Sequence, residues 1–371
     1  MEKNQGLAGV IAGETAICKV SETGAGLSYR GYSIQDLARD ATFEEVAYLL
    51  IYGKLPTQKE LNHFQQSLIR AQSLPASICL ILEQLPKNTQ PMDVLRTAIS
   101  ALGCLEFETP DYTQKKIAER LIPFSVSAVF YWYHYRFSGK KITVFTQQPT
   151  IAGHFLSLLT GNPPKPEQQR ALDISLILYA EHEFNASTFA ARVAASTGTD
   201  FYSCIVAAIA TLRGPLHGGA NEEAFNLIAS YKDISSAETG ILDLLAKKTK
   251  IMGFGHRVYK KTDPRSEFVK RLAHELGENT NEAIKLTIAE KIEEIVLNEK
   301  HLFPNLDFYS SLVYYFLGIP TILFTPLFAV ARISGWSAHI MEQRALKSLI
   351  RPLAAYIGPL DKVFIPIKER I

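Results

Sequence analysis

Three histidines sit in segments whose residue types could do chemistry: His182 in YAEHEFNASTF, His217 in RGPLHGGANE and His256 in MGFGHRVYKKTDPR. Glycines beside His217 and His256 allow sharp turns and close approach of a ligand to backbone. A histidine held in such a loop can polarise a substrate oxygen or share a proton with it. Two other readings stand beside this one. Each imidazole singly could be bonded to a loop carbonyl, and all three with Asp307 could hold zinc, although no ligand spacing demands a metal. The remaining histidines, His63, His134, His154, His274, His301 and His339, lack this context and read as structural or exposed.

Asp307, in FPNLDFYSS, is the candidate base. Its apolar neighbours would desolvate the carboxyl, raise its pKa and make it a better base. The same residue could instead cap a helix that begins at Phe308. Arg265, Arg332 and Arg351 are candidate anion binders. Arg332 carries most weight, because Phe328, Ala329, Val330 and Ala331 precede it and a buried guanidinium needs an anion. Several such arginines with neutral histidines would suit a polycarboxylate, and Lys260 and Lys261 could add phosphate contacts.

The elements that must position these residues are almost all helical. Residues 15–20 and 27–30 flank glycines at 24 and 26 and read as a β-hairpin. Thr42 with Glu45, and Thr57 with Glu60, form capping boxes ahead of apolar-periodic segments, the first stopped by Gly53. Residues 92–105 repeat the periodicity. Residues 121–137 and 171–213 are apolar nearly all round, as in helices buried among helices, and 121–137 and 151–160 are consistent with a subunit interface. Residues 220–300 are more polar, which suggests a second, more solvated domain. No βα alternation points to a parallel sheet.

Residues 308–331 carry no charge and are long enough to span a bilayer. Pro320, Pro326 and Gly318 interrupt them, and two short buried helices joined at the prolines fit better. A net charge of +2 from 39 basic and 37 acidic residues argues against nucleic acid as a partner. Cys18, Cys79, Cys104 and Cys204 form no CxxC pair and read as small hydrophobes in a reducing compartment. The N-terminus shows no secretory pattern, so a cytoplasmic location is expected. No phosphate loop, GxSxG elbow, HExxH or dinucleotide fingerprint is present.

Together, RGPLHGGANE, GFGHRVYKKTDPR, FPNLDFYSS and LFAVARISGW resemble the citrate synthase family in order and spacing, over essentially the whole chain. GLAGVIAGETAICKV, LSYRGYSI, PMDVLRTAISALGC, YWYHY and YAEHEFNASTF are similar to its 2-methylcitrate synthase branch. His256 departs from that branch. It is followed by Arg257-Val258-Tyr259-Lys260, as in short bacterial citrate synthases, where many 2-methylcitrate synthases have proline.

The resemblance implies condensation of an acyl-CoA, propionyl-CoA favoured and acetyl-CoA also used, with oxaloacetate, and no metal or redox cofactor. It implies that Asp307 is the base, His217 the donor to the enolate and His256 the group that polarises the ketone. His182, Arg265, Phe328, Arg332 and Arg351 would bind oxaloacetate, and Gly253, Phe254, Gly255 and Lys260 would bind CoA. Asn305 would shape the loop of the base. The implied fold is all-α, with a large domain (1–218 and 326–371), a small domain (219–325) and a homodimer in which Arg351 reaches the partner's site.

Overall fold

The computed structural model describes residues 5–7, 9–21 and 26–370. Three short antiparallel strands open the chain: β1 (Cys18–Val20), β2 (Leu27–Tyr29) and β3 (Tyr32–Ser33), in that order. Cys18 pairs with Tyr29 and Val20 with Leu27, which is the expected hairpin. Gly24 and Ala25 of its turn lie outside the described residues. The first strand starts three residues later than the sequence suggests, and β3 is an addition. A two-residue strand carries too little alternation to be read.

Helices account for most of the rest. α1 (Ile34–Asp40) is capped by Ser33. α2 (Phe43–Tyr52) and α3 (Gln58–Arg70) begin on complete capping boxes, at Thr42 with Glu45 and Thr57 with Glu60, and α2 stops at Gly53. α4 (Ala76–Gln84) and α5 (Pro91–Gly103) pack on α6 (Gln114–Ser138). α7 (Ile151–Thr160) lies against α6 and α8 (Pro166–Tyr179). Most apolar residues of α6 and α7 are covered by their own chain, while Phe137 near the end of α6 is exposed.

α9 (Ala186–Ser196) and α10 (Phe201–Leu212) complete the apolar run of 171–213, which is broken at 180–185 and 197–200. The first break carries His182. α11 (Ala220–Ala229), α12 (Ile234–Ala246), α13 (Ser266–Gly277), α14 (Ile284–Lys300) and α15 (Leu306–Phe316) pack mainly on one another. α16 (Phe324–Leu346) is buried over most of its length among α2, α5, α6, α8, α9 and α10.

The uncharged run of 308–331 resolves into α15, a turn around Gly318 and Pro320, one 3-10 turn (Thr321–Leu323) and the start of α16. The second helix is long rather than short. Pro326 does not end it, because it sits in the first turn, where a backbone N–H has no helical partner to lose. Among the described residues no helix is long and apolar enough to cross a membrane.

Candidate active site

Two loops are stitched together at the base of α15. Gly255 N–H donates to Phe303 O at 2.8 Å and Asn305 N–H to Gly253 O at 2.9 Å, while Phe254 and Pro304 form an antiparallel bridge. Asn305 Nδ2 adds a bond to Gly255 O at 2.9 Å. Gly253 has φ 87°, and a Cβ there would meet Phe308 Cβ at 3.0 Å, so the approach requires glycine. The stitching sets His256 beside the start of α15. It also uses the polar backbone groups of Gly253 and Gly255 that the resemblance assigns to CoA.

Asn305, not Asp307, caps α15: its side chain accepts Asp307 N–H at 3.0 Å. The Asp307 carboxyl is therefore free for Tyr179, whose hydroxyl donates to Oδ1 at 2.6 Å and also lies 2.7 Å from Ser310 Oγ. Desolvation by the groups packed around it pushes the Asp307 carboxyl above its ordinary range, against the lowering effects of the Tyr179 hydrogen bond and of Arg265. Burial keeps the Tyr179 phenol protonated, so it stays a donor.

The two glycine-flanked histidines are held neutral, each in one tautomer. Burial lowers both to about 4, helped by Arg332 at His217 and by Arg265 at His256. His217 Nε2 accepts Ser187 N–H at 3.1 Å, so its proton sits on Nδ1. His256 Nδ1 accepts Val258 N–H at 3.1 Å and Tyr259 N–H at 3.2 Å, so its proton sits on Nε2. Neither protonated nitrogen has a hydrogen-bond partner among the described residues. The carbonyl-bonded alternative therefore does not hold for either ring.

His182 is buried in the turn after α8, with its ring 4.9 Å from that of His256 and Nε2 3.0 Å from the Tyr259 hydroxyl. Burial and the cations around it, Arg265 first, push its pKa well down. Arg265 is buried and pinned by Asp263 through two bonds, of 2.9 and 2.8 Å; Asp263 also accepts Leu306 N–H at 3.1 Å and so fixes the start of α15. Arg332 is 2% exposed and donates through Nε to Tyr179 O at 2.6 Å. Its guanidinium lies 4.7 Å from the ring of Phe328, which packs 4.6 Å from Tyr179. Among the described residues Arg332 forms no ion pair with a carboxylate, and its one hydrogen bond there is that from Nε to Tyr179 O.

His182, His217, His256, Asp307, Arg265, Phe328 and Arg332 thus belong to one connected set of contacts. Arg351 and Lys260 do not join it; both are exposed, and Lys260 Nζ reaches only Arg257 O. Tyr179, Ser187, Tyr259 and Asp263 are additions to the residues named from sequence. Asp263 carried a signal, an acid two residues before an arginine. Tyr179 carried none, since a tyrosine in an apolar run reads as core. Among the described residues no group of three or more His, Cys, Asp or Glu is arranged to hold a metal ion. A cavity of about 540 Å³ lies elsewhere, lined by Tyr52, His63, Arg70, Glu119 and Arg120 among others.

The family model for the citrate synthase C-terminal domain matches residues 6–353. A 2-methylcitrate synthase of Shewanella oneidensis is 46% identical over 98% of this chain and 97% of its own. Citrate synthase 2 of Bacillus subtilis is 43% identical over the full length of both. Among solved structures, the citrate synthase of Thermotoga maritima superposes with a TM-score of 0.89 at 39% identity, covering 99% of each chain. That of Thermoplasma acidophilum, solved as a ternary complex with carboxymethyl coenzyme A and oxaloacetate, gives 0.92 at 34% identity over 98% of each. With this likeness running through fold, length and sequence alike, the chain belongs to the citrate synthase family.

Proposed function

We propose that the protein condenses an acyl-CoA with oxaloacetate and hydrolyses the resulting thioester, with propionyl-CoA the favoured donor and acetyl-CoA also accepted. The observation that carries this reading is the pair of neutral imidazoles whose protonated nitrogens have no partner among the described residues, together with a carboxylate of raised pKa, with Arg332 acting on both His217 and Asp307. A carbon next to a thioester carbonyl is a very weak acid. Asp307 can take its proton only if the forming enolate oxygen receives a hydrogen bond, and His217 Nδ1–H is the donor. His256 Nε2–H polarises the ketone of oxaloacetate and protonates the alkoxide as the carbon–carbon bond forms. Water then cleaves the thioester and CoA leaves.

His182, Arg265 and Arg332 hold the carboxylates of oxaloacetate, with Phe328 against the substrate and Arg351 supplied by a second copy of the chain. The self-contained packing of α11–α15 supports a small domain of 219–325 that closes on the large one, with His217 at the junction. Closure before deprotonation excludes water from the enol. Lys260, exposed beside His256, remains the candidate for a CoA phosphate.

The donor preference rests on the Shewanella relative and on the segments shared with its branch; Bacillus subtilis citrate synthase 2 and the RVYK segment favour acetyl-CoA. One methyl group is worth about 1–3 kcal/mol in a pocket, so activity with both is expected. Thiol release from acetyl-, propionyl- and butyryl-CoA, with and without oxaloacetate and with chelator present, tests the reading. Oxaloacetate-dependent release with the highest kcat/KM for propionyl-CoA is the expected result. A clear preference for acetyl-CoA makes it a citrate synthase proper, and no thiol from any donor refutes the condensation.

A further inference from the structure

Behind His182, a buried chain of polar groups leads away from the cleft and has no part in the roles above. Arg192 Nη1 donates to Glu342 Oε2 at 2.6 Å and to His339 Nδ1 at 3.0 Å, and His339 Nε2 lies 2.9 Å from Glu181 Oε1. A guanidinium can only donate, so His339 Nδ1 is an acceptor and Nε2–H donates to Glu181. Arg192 is 1% exposed, and His339 and Glu181 are fully buried. Glu181 is held by its backbone as well: the buried Tyr29 hydroxyl, from β2, donates to Glu181 O at 2.9 Å.

The second oxygen of this carboxylate is unusual. Glu181 Oε2 is buried with no hydrogen-bond partner, and a Cβ at Gly335 would meet it at 2.2 Å, so α16 leaves room for it only with glycine. An orphaned buried carboxylate oxygen is costly and requires a compensating charge. Arg332, one turn of α16 before Gly335, is the cation next to it along the helix, and its Nε donates to Tyr179 O, two residues before Glu181, at 2.6 Å, so the turn of Glu181 and the guanidinium are fastened together. Arg332 in turn has no carboxylate of its own within ion-pair distance among the described residues.

We propose that Glu181 is a positioning residue for oxaloacetate. Fixed by Tyr29 at its carbonyl and by His339 at its carboxylate, it sets the turn that carries His182. Its charge, one turn along α16 from the permanently cationic Arg332, holds that guanidinium in place before the substrate carboxylate arrives. The proposal rests on the oxaloacetate reading above. Glu181→Gln keeps an acceptor for His339, removes the charge and puts an amide nitrogen in place of one oxygen; Tyr29→Phe removes a hydroxyl that also reaches Ile177 O and Leu178 O at 3.2 and 3.4 Å.

The test is calorimetric affinity for oxaloacetate together with steady-state kinetics on the full-length protein. Glu181→Gln is expected to weaken oxaloacetate binding and raise its KM about tenfold, with kcat and the acyl-CoA KM within about threefold of the parent. Tyr29→Phe shifts the same constants in the same direction by about threefold. Lower melting temperatures with unchanged oxaloacetate affinity in both variants would reduce Glu181 to structural support and overturn the proposal. Should Glu181→Gln fail to fold, Tyr29→Phe decides alone. A parent that turns over while the variants keep their oxaloacetate KM refutes the positioning alone. A parent that neither binds oxaloacetate nor releases thiol refutes the function and the positioning together.

Discussion

Opposed influences act on the Asp307 carboxyl: desolvation and Asp263 raise its pKa, and the Tyr179 hydroxyl, Arg265 and Arg332 lower it. Removing the hydroxyl takes away the foremost of the lowering influences, so Tyr179→Phe moves the acidic limb of kcat/KM to higher pH. A hydrogen bond to a charged acceptor is worth about 1.5–3 kcal/mol, which corresponds to about 1–2 pH units. His217 and His256 stay neutral down to about 4, so an acidic limb that moves with the Tyr179 hydroxyl belongs to the carboxyl. Rates measured from pH 5 to 9 check this, and a limb that stays in place or moves down removes Tyr179 from the site's chemistry. At this scale the sequence displays His217, His256 and Asp307, because glycine, proline and polar neighbours mark loops that hold chemistry. It hides Tyr179, whose partner lies 128 residues away and whose neighbours are those of any core tyrosine.

Helix starts are legible where their signals are local. Thr42 and Glu45 need only each other, so the start of α2 can be read directly. What lies behind it cannot. Glu44, the next residue to Phe43, is fully buried and accepts Ile151 N–H at 2.8 Å, the first residue of α7, while Asp173 of α8 accepts Phe43 N–H at 2.9 Å. From sequence Glu44 is one more acid in a first turn; only the assembled helices make it a junction. Burial, reinforced by Asp173, pushes Glu44 up to about 8, so the fold holds its proton at neutral pH. An acid whose folded pKa is raised loses stability as pH climbs from the unfolded value to the folded one, and no more above it. Glu44→Gln keeps an acceptor for Ile151 and has no proton to retain. The variant is expected to match the parent near pH 4.5 and to gain on it by about 1–3 kcal/mol by pH 8. Denaturant unfolding at pH 5, 7 and 8.5 measures the gap; a constant gap across that range rules out the proton as its cause. His154, pushed down to about 3 by burial, contributes the opposite slope in both proteins and cancels from the comparison.

At the scale of the whole molecule, a run of exposed apolar side chains follows α16: Leu349, Leu353, Tyr356, Ile357, Leu360, Val363, Phe364 and Ile367. Their close succession along one segment without regular structure before Ile367 suits a second copy of the protein. Arg351 lies at its start, exposed and outside the contacts of the site, which fits delivery to the partner's cleft. A single chain cannot reveal this from sequence or from fold, because both halves of the contact are never in one copy. Complementation can. Asp307→Ala and Arg351→Ala are each expected to abolish most thiol release alone. When the two are unfolded, mixed in equal amounts and refolded together, heterodimers carry both lesions in one site and none in the other. Random pairing then restores about a quarter of parental activity if the arginine crosses the interface of a two-fold dimer. If Arg351 serves its own chain, every site in the mixture keeps one lesion and nothing is restored. The same mixture gives a second reading: on the proposed roles, the regained activity follows parental oxaloacetate affinity, because the intact site then combines Arg332 and His182 with Arg351 from the second copy.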